Sequence, residues 1–143
     1  MTRILAVLAF IVLPFSAFAE GVTHHVAFHV DENDPAVMNM TLNNAQNVQN
    51  YYASQGDSVV IEIVAYGPGL NMFVAANSPV VDRLAMMSLE MPNLTLSACG
   101  NTHVAMQQKS GTAVPLISEA VVVPSGVVQL ISLQEQGFAY IRP

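Results

Sequence analysis

The spacing of hydrophobic and polar positions changes several times along the chain. Thr23 to Val30 (T-H-H-V-A-F-H-V) is a short apolar run rich in β-branched and aromatic residues, which predicts a strand. Its alternation puts His25, Ala27 and His29 on one face and His24, Val26, Phe28 and Val30 on the other. The period lengthens after Asp34-Pro35, a capping carboxylate followed by proline at the first helical position. Val37, Thr41, Ala45, Val48 and Tyr52 then recur at three and four, as do Met38 and Leu42, predicting a helix over 35–53. Asn39, Asn43, Asn47 and Asn50 form a second stripe, although asparagine is a poor helix former. That stripe is either neutral solvated surface or a hydrogen-bonded subunit contact. Ser58 to Tyr66 is almost continuously apolar, as a central strand covered on both faces should be. Glu62 interrupts it and must be paired, lie near a sheet end or face an opening.

Gly67-Pro68-Gly69 makes a sharp loop, and a short helix is expected over 70–76. Ser78-Pro79 opens a helix running to Glu90. Leu94 to Cys99 is a third strand, followed by a helix over 102–109. Ser118 to Val123 is a fourth strand, and Pro124-Ser125-Gly126 turns into a helix over 127–136 that Gly137 stops. Phe138 to Ile141 is the last strand. This alternation predicts an α/β fold: one three-layer domain whose five-stranded, mainly parallel sheet has helices on both faces. The loops at 31–34, 66–70, 99–102 and 124–126 then gather at the carboxyl edge, where ligands bind in open α/β sheets.

The first residues carry a different signal. Met1-Thr2-Arg3 precedes an apolar run from Ile4 to Phe15 and the ending Ser16-Ala17-Phe18-Ala19, the pattern of a cleaved secretory leader over 1–19. The run is short for a membrane span, so no stable membrane insertion is expected after cleavage. The domain is then 20–143, and the expected location is the periplasm. The full chain has a formal net charge of −6, and losing Arg3 makes it one unit more negative. Without clustered cations it is not a nucleic-acid binder. Few charges and many Ala, Val, Leu and Met imply a partly apolar surface and hence a homo-oligomer.

Cys99 is the chain's single cysteine, so no internal disulfide forms. It ends an apolar strand and precedes Gly100, a tight-turn residue, and Asn101 and Thr102, both helix-capping types. A thiol facing a helix N-terminus has its thiolate stabilised by the unpaired N–H groups. The opposing reading is a buried, inert thiol used for packing. Around it, Tyr66, Gly67, Gly69, Gly100, Asn101, Thr102 and Ser125 make an uncharged, glycine-rich edge suited to a small anion or a persulfide. His103, one turn into the helix, is placed to assist proton transfer.

The chain resembles the exported branch of the DsrE/DsrF-like sulfur-relay family. The likeness is carried by Leu42-Asn43-Asn44, Val64 to Leu70, Ala98 to Thr102, Val123 to Val127 and Gln136 to Pro143, in matching order. The resemblance implies a five-stranded α/β domain assembled as trimers or hexamers, in which Cys99 accepts sulfane sulfur and passes it to a partner protein. His103 stands where relatives often carry methionine.

Two other classes compete. One is a non-catalytic homo-oligomeric module that binds a small anionic ligand at the same edge; no paired carboxylates, Ser-His-Asp set or nucleotide fingerprint appears. The other is copper binding by His24, His25, His29, His103 and the methionines Met86, Met87 and Met91. His25 and His29 lie about 13 Å apart along their strand, too far for one ion. No metal site and no cofactor is therefore expected, and the activity is at most that of a sulfur carrier or sulfurtransferase-like relay.

Overall fold

A computed structural model describes residues 21–143; the leader expected over 1–19 lies outside the described residues. The strands are β1 (Thr23–Val30), β2 (Ser58–Ala65), β3 (Leu94–Cys99), β4 (Ala120–Val123) and β5 (Ala139–Ile141). They form one sheet in the order β4-β3-β2-β1-β5, with every neighbouring pair parallel. The helices are α1 (Pro35–Ser54), α2 (Val81–Glu90), α3 (Gly100–Ser110) and α4 (Gly126–Glu135), with a 3-10 helix at Gly67–Phe73. The α/β domain read from the sequence is thus present. None of the described helices is long and apolar enough to cross a membrane.

Strand order decides which face each helix covers. From β1 to β4 each strand is laid beside the previous one, so right-handed crossovers put α1, α2 and α3 on one face. The chain then returns across the sheet to place β5 beside β1, and that crossover carries α4 over the opposite face. Side-chain parity agrees. Val26, Phe28, Val30, Ile61, Ile63, Leu96 and Ala98 pack with Met38, Leu42, Phe73 and Leu84 in the main core. Ala27 and Val64, one residue out of phase, pack instead with Leu130 and Leu133 of α4.

Local chemistry sets the helix ends. Asp34 accepts the Ala36 N–H at 2.7 Å, capping α1 ahead of Pro35. Ser125 caps α4 through the Val128 N–H at 3.5 Å. The helix expected at 70–76 is instead the 3-10 turn beginning at Gly67, whose φ of +53° suits glycine. The helix expected from Pro79 starts two residues later, at Val81, with Val80 at φ −126° and ψ 16° as its N-cap. The Ser78 hydroxyl accepts the Val80 N–H at 3.3 Å in the turn before it. Two residues of the asparagine stripe are used within the chain: Asn39 and Asn43 accept hydrogen bonds from the Arg83 guanidinium at 2.5 and 2.9 Å.

Candidate functional site

Cys99 ends β3 and is the N-cap of α3, so the sulfur lies where the first N–H groups of that helix have no intrahelical partner. A second helix start meets it there. An added Cβ at Gly126, the first residue of α4, would lie 3.2 Å from the Cys99 Cβ and 3.0 Å from the Tyr66 Cβ. Gly126 is therefore what lets α4 approach thiol and tyrosine together. Gly100 does the same for α3 against β4, where a Cβ would come 2.9 Å from the Val123 carbonyl oxygen.

Two opposing effects set the acidity of the thiol. Burial pushes it up, since Cys99 is only 5% exposed. The Thr102 hydroxyl and the N–H groups of Gly126, Thr102 and Asn101 outweigh burial and hold it below the ordinary thiol value. The sulfur makes no full capping hydrogen bond to its own helix, so these act as oriented dipoles around a thiolate. The Asn101 N–H is also shared with the Pro124 carbonyl at 3.3 Å. The Thr102 oxygen accepts the Gly67 N–H at 2.9 Å, which leaves its proton free for the sulfur.

Of the edge residues expected from sequence, Tyr66, Gly67, Gly100, Asn101 and Thr102 come together around Cys99. Gly69 does other work: a Cβ there would come 2.3 Å from the Val30 carbonyl oxygen, so it seats the 3-10 helix against β1. Ser125 caps α4. His103 turns away. Its Nε2 donates to the Val114 carbonyl at 2.7 Å, and the Gln107 amide lies against the ring. The rotation of α3 aims residue 103 at the loop leading to β4, so His103 stands outside the set of groups around the thiol.

The sequence reading missed the row that continues from Tyr66. The His29 ring stacks on Tyr66 with centroids 4.5 Å apart, and His29 Nδ1 bonds the Tyr140 hydroxyl at 2.7 Å. Cys99, Tyr66, His29 and Tyr140 thus come from β3, the end of β2, β1 and β5 in turn, all on the α4 side. His29 is 4% exposed, and its Nε2 has no hydrogen-bond partner; the nearest carboxylate oxygen, on Asp31, is 3.9 Å away. Burial lowers the His29 pKa against the pull of Asp31, keeping the ring neutral. Burial also raises the Tyr66 hydroxyl, with Asp31 adding to the effect. For Asp31, burial is outweighed by Arg142, which bonds it at 3.0 Å and holds the carboxyl below the usual range. The signal was present in the face assignment of His29 and in the C-terminal Tyr140-Ile141-Arg142.

Glu62 lies on the same side and is paired. Its Oε1 accepts from the Ser97 hydroxyl at 2.5 Å and the Gln129 amide at 2.7 Å. The remaining histidines are separately engaged: His24 bonds Asp57 at 2.9 Å and His25 lies edge-on to Phe138. Among the described residues, no three His, Cys, Asp or Glu side chains come together as a metal site.

No family model matches the chain, and no curated protein matches it. Among solved structures it is similar to that of MTH1491 from Methanobacterium thermoautotrophicum, a protein of unknown function. The two share 31% identity over 84% of this chain and 99% of the other, with a TM-score of 0.70.

Proposed function

We propose that this chain, which belongs to the family of MTH1491, is a sulfur-handling protein of the DsrE/DsrF-like kind, carrying sulfane sulfur as a persulfide on Cys99. The observation that carries this reading is the thiol's position between the N-termini of α3 and α4, where surrounding N–H groups and the Thr102 hydroxyl hold it below the ordinary thiol value. In the step proposed, the Cys99 thiolate attacks the outer sulfur of a persulfide donor R–S–SH. The donor S–S bond breaks, Cys99–S–SH forms, and R–S⁻ leaves with the electron pair and takes a proton from water. No external oxidant or reductant is needed. A second thiol, on an acceptor protein, then takes the outer sulfur by the same exchange.

The expected leader puts this chemistry in the periplasm. The exposed Val121 of β4, with Val127, Val128 and Ile131 of α4, supports assembly of the chain with copies of itself as a trimer or hexamer. The 5% exposure of Cys99 favours a second reading, in which the thiol only packs and the chain is a non-catalytic homo-oligomeric module binding a small anion at the same edge.

Intact mass decides between them. The protein is incubated with glutathione persulfide or polysulfide, alongside Cys99→Ser. Sulfur transfer predicts gains of about 32 Da per sulfur, reversed by thiol reductant and absent from Cys99→Ser. An unmodified wild type would leave the binding-module reading.

A further inference from the structure

We propose that the cavity beside Thr102 receives the body of a small, negatively charged sulfane donor, whose carboxylate is held by Lys109; this deepens the sulfur-handling reading of Cys99 and rests on it. The cavity has a volume of about 310 Å³ and lies between the 3-10 helix and α3, bordered by Asn33, Gly67, Asn71, Thr102, Met106 and Lys109. Thr102 is common to cavity and thiol. Its oxygen accepts the Gly67 N–H at 2.9 Å, its hydroxyl acts on the Cys99 sulfur, and the residue also forms part of the cavity wall. A donor lying in the cavity therefore reaches the residue that borders the reacting sulfur.

Size and charge define the ligand class. The volume falls at the lower end of the range for small-molecule sites, about 300 to 1,000 Å³, and so suits a metabolite rather than a protein segment. No carboxylate lines it, and Lys109 is its one charged residue. The two other cations of the described residues are engaged: Arg142 with Asp31 and Glu32, and Arg83 with Asn39 and Asn43. Among the described residues, Lys109 makes no ion pair. In a chain of net charge −6, a cavity whose only charge is positive selects an anion.

Spacing narrows the class further. Lys109 lies two turns along α3 from Thr102, about 10 Å of helix rise. A ligand touching both ends needs several bonds between its sulfur and its carboxylate. A persulfide borne on an amino acid or short peptide meets that span, with its carboxylate toward Lys109 and its sulfur toward Thr102. Met106, between the two ends, offers apolar surface to the connecting atoms.

The test compares two disulfide reagents that trap Cys99 in the folded protein: dithionitrobenzoate, which is anionic, and dithiodipyridine, which is uncharged. Lys109→Ala is expected to slow the anionic reagent about threefold to tenfold, the scale of one charge contact near the surface, and to leave the neutral reagent unchanged. Lys109→Arg should restore the anionic rate, and Lys109→Glu should lower it further. Glutathione persulfide is then compared with an uncharged alkyl persulfide by intact mass, and the same variants should follow the same order. An unchanged ratio in Lys109→Ala overturns the subsite, whatever the sulfur measurement gives. A changed ratio in a protein that takes up no sulfur leaves an anion subsite and overturns the sulfur reading. If neither reagent reacts with the folded wild type, the thiol is closed and both proposals fall.

Discussion

The two faces of the sheet are built from the same strands and do different work. Toward α1, α2 and α3 the strands present Val26, Phe28, Val30, Ile61, Ile63, Leu96 and Ala98, all apolar and nearly or fully buried. Toward α4 the alternate positions include His29, Glu62, Ser97 and Cys99 among Ala27 and Val64. Each of these groups is one residue out of phase with the main core. Because successive side chains of a strand leave on opposite faces, stability and chemistry are separated by a single residue step. One face is covered by three helices and closely packed. The other, under one helix, keeps titratable groups buried and partnered: Glu62 by Ser97 and Gln129, His29 by Tyr140, and Cys99 by two helix N-termini.

The contrast should break first on the packed face. Phe73 is fully buried in the main core, so Phe73→Ala should cost about 3 to 5 kcal/mol in urea unfolding. Cys99→Ser, on the other face, should cost less than about 1 kcal/mol, because the N–H groups that favour the thiolate also accommodate a hydroxyl. Comparable losses for the two would mean that the α4 face is simply more core.

A smaller effect is expected at Gly126. A Cβ there meets Tyr66 at 3.0 Å and Cys99 at 3.2 Å, and Gly126→Val adds two methyl groups beyond it. The cost expected in urea unfolding is about 1 to 3 kcal/mol. Alkylation of Cys99 should also slow, since the start of α4 is pushed off the sulfur. A variant with lowered stability but an unchanged alkylation rate would remove α4 from the site.

The smallest effect concerns pH. The folded His29 pKa is depressed by burial, so between that lower value and the ordinary one of about 6.5 the unfolded chain binds more protons than the folded one. Stability contributed by neutral His29 is therefore present above the ordinary histidine pKa and is lost as pH falls through that window. His29→Phe keeps an aromatic ring against Tyr66 and lacks the titration. The difference in unfolding free energy between wild type and variant should shift with pH across this window and be flat above it. A difference independent of pH would contradict the assignment.

Much of this was legible along the chain, and what was not has a definite cause. The parity of β1 separated His25, Ala27 and His29 from Val26, Phe28 and Val30, and the packing follows that division. The strand–loop–helix pattern around Cys99 placed the thiol at a helix start, which is where it lies. The partners of His29 were out of reach, because Tyr140 is 111 residues away and comes beside β1 only through the return crossover to β5. His103 illustrates the opposite failure. Spacing put it one turn from Cys99, but packing sets the rotation of α3, and the Val114 carbonyl takes its ring nitrogen. Glu62 was recognised as needing a partner, yet Ser97 and Gln129 could be identified only once β3 and α4 were laid on either side of it.

The most direct test of an activated thiol on the α4 face is the rate of Cys99 alkylation by iodoacetamide in the folded protein, followed from acid to alkaline pH. The same measurement on Thr102→Val removes the hydroxyl that acts on the sulfur. An activated thiol gives a wild-type midpoint below the ordinary thiol value and a higher midpoint in Thr102→Val. A wild-type midpoint at or above the ordinary value, unmoved by Thr102→Val, would mean that burial governs the sulfur and that the α4 face holds no activated nucleophile.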